Sequence, residues 1–199
     1  MSVTAAALAA LIALPGALWI AFGTSPARRI LLAVYSAGLG FPPVAVGLAV
    51  AFTFWRSGPL GALDLLYTPA AMVLAQTIVA IPVFGTLAVV ALRGLDVSLP
   101  LQLAALGIAR ARRMRILARE AAPGLAAAGL AGFGRAIAEV GAAQMTGGNI
   151  AGQTRVLTTA TVLAVGRGDF GLAFGETAVL VGIVAIATGI TLALQSRWR

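Results

Sequence analysis

The stretch Arg93–Gly124, RGLDVSLPLQLAALGIARARRMRILAREAAPG, lies between long apolar segments and holds Arg93, Arg110, Arg112, Arg113, Arg115 and Arg119, six of the fourteen arginines. Its LQLAALG portion reads as a short helix that Gly107 stops by supplying a left-handed C-terminal residue. A basic helix begins after that stop. Connections between membrane spans are otherwise kept short, so one long helical loop on a basic face suits presentation to a cytoplasmic partner. The competing reading is a basic loop that only sets topology and touches anionic headgroups. On residue chemistry alone both stay open.

Composition excludes most other classes. With 60% hydrophobic residues, 10% charged residues and a mean hydropathy of +1.01, the 199-residue chain is a polytopic membrane protein rather than a soluble domain. The net charge of +8 comes entirely from arginine on the positive side. These arginines cluster in loops without interleaved aromatics, a pattern of membrane orientation rather than of nucleic-acid binding. Lysine, cysteine and histidine are absent. Disulfides, thiol nucleophiles, imidazole bases, His/Cys metal sites and the lysine of a phosphate loop are therefore excluded. The expectation is a non-enzyme that binds no cofactor or metal and draws its energy from a partner or a gradient.

Five spans are expected. Residues 3–23 carry no charge and at the helical rise reach about 30 Å, enough to cross a bilayer; a signal peptide is rejected because no basic residue precedes them. After Arg28 and Arg29 comes a span at 30–55, which Pro42 and Pro43 should kink. A turn at Pro59 and Gly61 leads to a span at 68–92 with Gln76, Pro82 and Gly85. A fourth, 123–145, has small residues at intervals of four, Gly124, Ala128, Gly132 and Ala136 on one stripe and Gly134, Ala138 and Ala142 on another, suited to close helix approach. It also holds Arg135 and Glu139, four residues apart and so expected on one face, neutralising each other or facing water. As a packing lock or as the lining of a polar path, the pair reads equally well. The region from Thr146 to Phe174 is rich in glycine, amides and hydroxyls and suits an outward gate or a docking surface for a polar ligand. A last span at 174–194 has Glu176 at its edge and ends in QSRWR, whose Trp198 and flanking arginines look like an interfacial anchor.

Counting arginines orients the chain. With the N-terminus outside, the inner side receives ten (Arg28, Arg29, the six of the long loop, Arg197 and Arg199) against Arg56, Arg155 and Arg167 outside. The 93–122 loop then faces the cytoplasm, which favours the coupling reading.

These residues carry a family likeness. LDVSLPLQLAALGIARARRMRILAREAAPG followed by GRAIAEVGAAQMTGGNIAGQTRVLTTA resembles the permease subunits of bacterial ABC importers for molybdate and tungstate, over nearly the whole chain. In that family a signature named for its Glu-Ala-Ala run folds as a coupling helix; this chain matches it at Asp96, Ala104, Ala105, Leu106 and Gly107 and departs at Pro100, about where the glutamate is expected. The EAA letters of Glu120–Ala122 lie beyond the glycine and are a repeat of letters only. REAAPG, GRAIAEVG and RVLTTA look like the tungstate branch, so tungstate is favoured over molybdate. The family usually has a polar or amphipathic lead before its first span, which is short here.

The resemblance implies an all-α permease domain of about five transmembrane helices in a bacterial cytoplasmic membrane, paired as a homodimer. A separate pair of ATPases, carrying ATP and magnesium, would dock under Leu95, Asp96, Ala104, Ala105, Leu106, Gly107 and Arg110. An oxyanion-binding protein would deliver its load outside, and Arg135, Glu139, Asn149, Thr154 and Arg155 are the candidates for the pathway. A molybdate or other anion importer is the alternative, then a stand-alone anion channel or a membrane scaffold.

Overall fold

The computed structural model describes residues 1–196, and Trp198 with its flanking arginines lies outside that range. Among the described residues every regular element is helical: α1 Ser2–Phe22, α2 Ala27–Leu39, α3 Pro43–Phe54, a 3-10 turn at Gly61–Leu63, α4 Pro69–Arg93, α5 Leu99–Ala105, α6 Arg110–Glu120, α7 Ala122–Ile137, α8 Gly141–Gly147, α9 Leu157–Gly166 and α10 Phe170–Ser196. Three of these, α1, α4 and α10, are each long and apolar enough to cross a membrane. Two further spans arise if α2 with α3 and α7 with α8 each count as one.

α4 is the hub and packs against α1, α2, α3, α7 and α8. It begins where the Thr68 hydroxyl accepts from the Ala71 amide and Pro69 opens the first turn, a position that needs no N–H. Around it the packing relies on small residues. Ala5, Ala9, Ala13 and Ala17, one every fourth residue of α1, are completely buried, and Ala128, Gly132 and Ala136 form the buried face of α7. Without side-chain bulk between them, helices approach closely enough for dispersion contacts between backbones to hold them in lipid. The stripe expected at Gly124, Ala128, Gly132 and Ala136 is thus an interface. The second stripe is not, because Gly134 meets no neighbour, Ala138 is exposed and Ala142 belongs to a different helix.

The two breaks differ from the expectation of continuous spans. Pro42 and Pro43 do more than kink: α2 and α3 meet at 104°. Pro43 opens α3 at its first turn after Pro42 has left the helical region, at ψ 121°. α7 and α8 meet at 58° across Ala138–Val140, with no proline there. The two halves beyond the breaks, α3 and α8, pack against each other so tightly that a Cβ on Gly47 would stand 2.6 Å from the Ala142 Cα.

Within 146–174, read from the sequence as suiting an outward gate or a docking surface with no element assigned, the structure has the helix α9. The helix forms because Thr159 accepts from the Val156 amide at 3.1 Å and α10 covers one side.

Candidate functional site

Local chemistry builds the loop between α4 and α6. The Asp96 carboxylate accepts from the Ser98 amide at 2.7 Å, a bond to the charged form that holds its pKa below the ordinary aspartate value and turns the chain into α5. α5 ends at Ala105, and Gly107, at φ +69°, makes the expected left-handed stop while its amide donates to the Ala104 carbonyl. Leu103 is buried and anchors this short helix, and Leu95 packs against the α1/α4 core. Asp96, Ala104, Ala105, Leu106, Gly107 and Arg110 are exposed. Val97 and Leu106 are 85% and 74% exposed, an apolar surface raised on a helical loop. Pro100 does not belong to this surface. It lines a cavity with Thr24, Arg110 and Arg113.

The fold places this loop at the arginine-rich end. The Gln195 side chain donates to the Pro123 carbonyl at 2.7 Å, so the end of α10 lies beside the start of α7. The shared lining of Phe22 and Arg113 brings the end of α1 to α6. Arg28, Arg29, Arg93 and the five arginines of α6 therefore gather at one end, whereas Arg155 shares a cavity with Met1, and Arg56 shares one with Tyr67 just before α4.

Arg135 and Glu139 correct the expectation of a pair on one helical face. α7 stops at Ile137, so the two residues sit on either side of the break. Arg135 is half-buried in the last turn of α7, where a cation complements the negative end of the helix dipole. Glu139 is buried and accepts from the Ala142 amide at 2.9 Å in the first turn of α8, where an anion complements the positive end. Each charge answers its own helix terminus. The Glu139 carbonyl also accepts from Thr158 at 3.4 Å, tying the break to α9.

The 147–155 loop brings Asn149, Thr154 and Arg155 together but largely closes on itself. The Ile150 carbonyl accepts from the amides of Gln153, Thr154 and Arg155, and the Ile150 amide donates to Thr154 Oγ1 at 2.9 Å. Thr154 is completely buried and its hydroxyl donates to the Gly147 carbonyl. That hydroxyl and those amides are already bonded within the loop. Asn149, held at φ +53°, donates to the Thr159 carbonyl and accepts from Arg155 Nε, both at 3.3 Å. Arg155 remains exposed beside a cavity of about 600 Å³ that Ile137, Thr158 and Leu180 also line.

Sequence reasoning missed Thr158 and the α8 cap. A threonine run at the start of an apolar decapeptide was the one available signal.

No family model matches the chain. Among curated proteins it is 37% identical to the "Probable anion ABC transporter permease protein" of Haloferax volcanii, over all of this chain and 86% of that one. It is 32% identical to the tungstate uptake system permease protein TupB of Peptoclostridium acidaminophilum, over 98% of this chain and 86% of the relative. Identity to the molybdenum transport system permease protein ModB of Escherichia coli is 27%, over all of this chain and 90% of the relative. Helices that can cross a membrane, a glycine-stopped helix raised at the arginine-rich end and this similarity along the full chain agree: the chain is a multi-pass membrane protein of the anion ABC transporter permease family.

Proposed function

We propose that this chain is the permease subunit of a tungstate importer, with molybdate as the second candidate. Two relatives named for tungstate uptake, at 32% and 30% identity, stand nearer than the molybdenum permease at 27%. The observation that carries the transport reading is α5, raised with the exposed Val97 and Leu106 on either side of it at the end that collects the arginines. The charge asymmetry supports a cytoplasmic location for that end, and with it an N-terminus outside and a C-terminus inside a cytoplasmic membrane.

Two copies pair around a pathway, because one chain of this size offers too few helices to enclose a gated route for a hydrated dianion. A pair of ATPases, which hold the ATP and magnesium, docks on Leu95–Arg110, and an external binding protein delivers the oxyanion to the Asn149–Arg155 loop. In this reading the moving elements are α3 and α8, the second halves of the two broken pairs, whose facing surfaces meet at Gly47 and Ala142. Discontinuous helices in a bilayer are tolerated where they are buried in protein or line a water-filled path. Labelled tungstate uptake into proteoliposomes holding permease, ATPase and binding protein, with molybdate, sulfate and phosphate as competitors, tests the assignment. Uptake competed equally by all three anions would overturn it.

Because Arg155 is bonded to Asn149 and the neighbouring amides are occupied, its role in this reading is to shape the docking surface. Arg155→Gln is expected to weaken binding-protein docking about tenfold, an amount near the loss of one charge-assisted contact, with uptake restored by excess binding protein. Unchanged docking with lost uptake would make Arg155 a contact of the ion itself.

A further inference from the structure

At the arginine-rich end, a cavity of about 230 Å³ opens between the end of α1, α5 and α6, lined by Phe22, Thr24, Pro100, Arg110, Arg113 and Leu117. We propose that it is a site for a phosphate-class oxyanion, held by Arg110 and Arg113. None of the six acidic residues lines it, and Arg113 Nε is buried there without a hydrogen-bond partner among the described residues. A guanidinium keeps its charge at any physiological pH and has only donors, so the unpartnered Nε leaves room for an acceptor, which an oxyanion would supply. Pro100 offers neither an N–H nor a side-chain acceptor, and Thr24 adds a hydroxyl donor.

The walls strengthen the attraction. Leu117 is completely buried and Phe22 adds a second apolar surface, so part of the wall excludes water, while Arg110 stays exposed. Arg110 is the first residue of α6, which brings the positive end of that helix to the same place. Two planar guanidinium groups, donors without acceptors and room for several waters, each about 30 Å³, fit a tetrahedral oxyanion that accepts bidentate bonds. A metal cation has no ligand here.

The cavity lies just beyond Phe22, where the apolar run of α1 ends, which is the level of lipid headgroups. The ligand chemistry therefore has two sources, the phosphate of an anionic lipid or a free inorganic oxyanion. In either case the occupant ties α1 to both α5 and α6. Occupancy would brace the helix on which the partner ATPase docks, making that helix sensitive to lipid or to the anion.

The test uses the full chain in a phosphorus-free maltoside, without ATPase or binding protein, so that failure of the tungstate reading does not affect it. Labelled inorganic phosphate is measured by equilibrium dialysis, and phosphatidylglycerol against phosphate-free diacylglycerol by native mass spectrometry. Saturable binding near one per chain is expected, falling about tenfold in Arg110→Gln/Arg113→Gln. Arg113→Lys, which keeps the charge but lacks Nε, is expected to lose several-fold and serves if the double variant does not fold. Arg119→Gln, an exposed arginine of α6 outside the cavity, should bind as the parent does. Binding of phosphatidylglycerol alone identifies a lipid site, and competition by phosphate identifies a free-anion site. No saturable binding of either probe, or equal losses in Arg119→Gln and the cavity variants, overturns the proposal.

Discussion

Replacing Gly107 with valine is expected to remove most of the ATP hydrolysis that the binding protein stimulates, while the permease still folds. Gly107 holds φ +69°, and a Cβ built there meets nothing within 4 Å, so the valine side chain itself has room. The penalty is conformational. A β-branched residue in the left-handed region costs about 1–2 kcal/mol, which lowers the population of the capped arrangement by a factor of about 5–30. Because this cap ends α5, the loss falls on the placement of Ala104, Ala105 and Leu106 rather than on the buried packing of α1, α4 and α7. Gly107→Asn supplies the control, since asparagine enters the left-handed region at little cost. In proteoliposomes with the binding protein and ATPase, the asparagine variant should keep stimulation and the valine variant should lose it. Parental stimulation in Gly107→Val would take α5 out of the coupling mechanism.

Glu139→Ala is expected to be the most destabilising single change at the α7/α8 break. The carboxylate is buried and accepts from the Ala142 amide, so its removal leaves that N–H without a partner in a protein interior. Such an orphaned group costs about 1–3 kcal/mol, or roughly 2–12 °C in Tm by the scaling of soluble domains of similar size. Glu139→Gln keeps an acceptor at the same reach and should lose much less. Arg135 sits across the break at the end of α7, so the loss in Arg135→Ala should add to that of Glu139→Ala within about 0.5 kcal/mol. Melting of the five proteins in detergent decides the matter. A double variant more stable than Glu139→Ala alone would restore the ion pair, and a glutamine variant as unstable as alanine would sink the capping role.

These two residues show where sequence reading reached and where it stopped. The stop at Gly107 was legible because it is local: a short helix ending at a residue without a Cβ needs only a few neighbouring positions to specify it. The membrane class followed from charge and apolar length for the same reason, and the small-residue stripe of α7 from its interval of four. The alanines of α1 at Ala5, Ala9, Ala13 and Ala17 carried the same signal and stayed unread in an apolar run.

Glu139 was different. Spacing put it on the face of Arg135, but that geometry requires a continuous helix, and GRAIAEVG contains no proline to mark an interruption. The Ala142 amide, the Thr158 hydroxyl and the packing of α8 on Gly47 of α3 stabilise the break. Thr158 and Gly47 are far away along the chain. Thr154 likewise looked like a free hydroxyl until the loop folded around it. By itself the sequence determined that the chain belongs to a membrane, where α5 ends and which end gathers positive charge, since each follows from local composition. Only the tertiary structure decided that the α7/α8 segment breaks and which polar groups are already satisfied, because a buried hydrogen bond depends on whichever distant residue packing brings within reach.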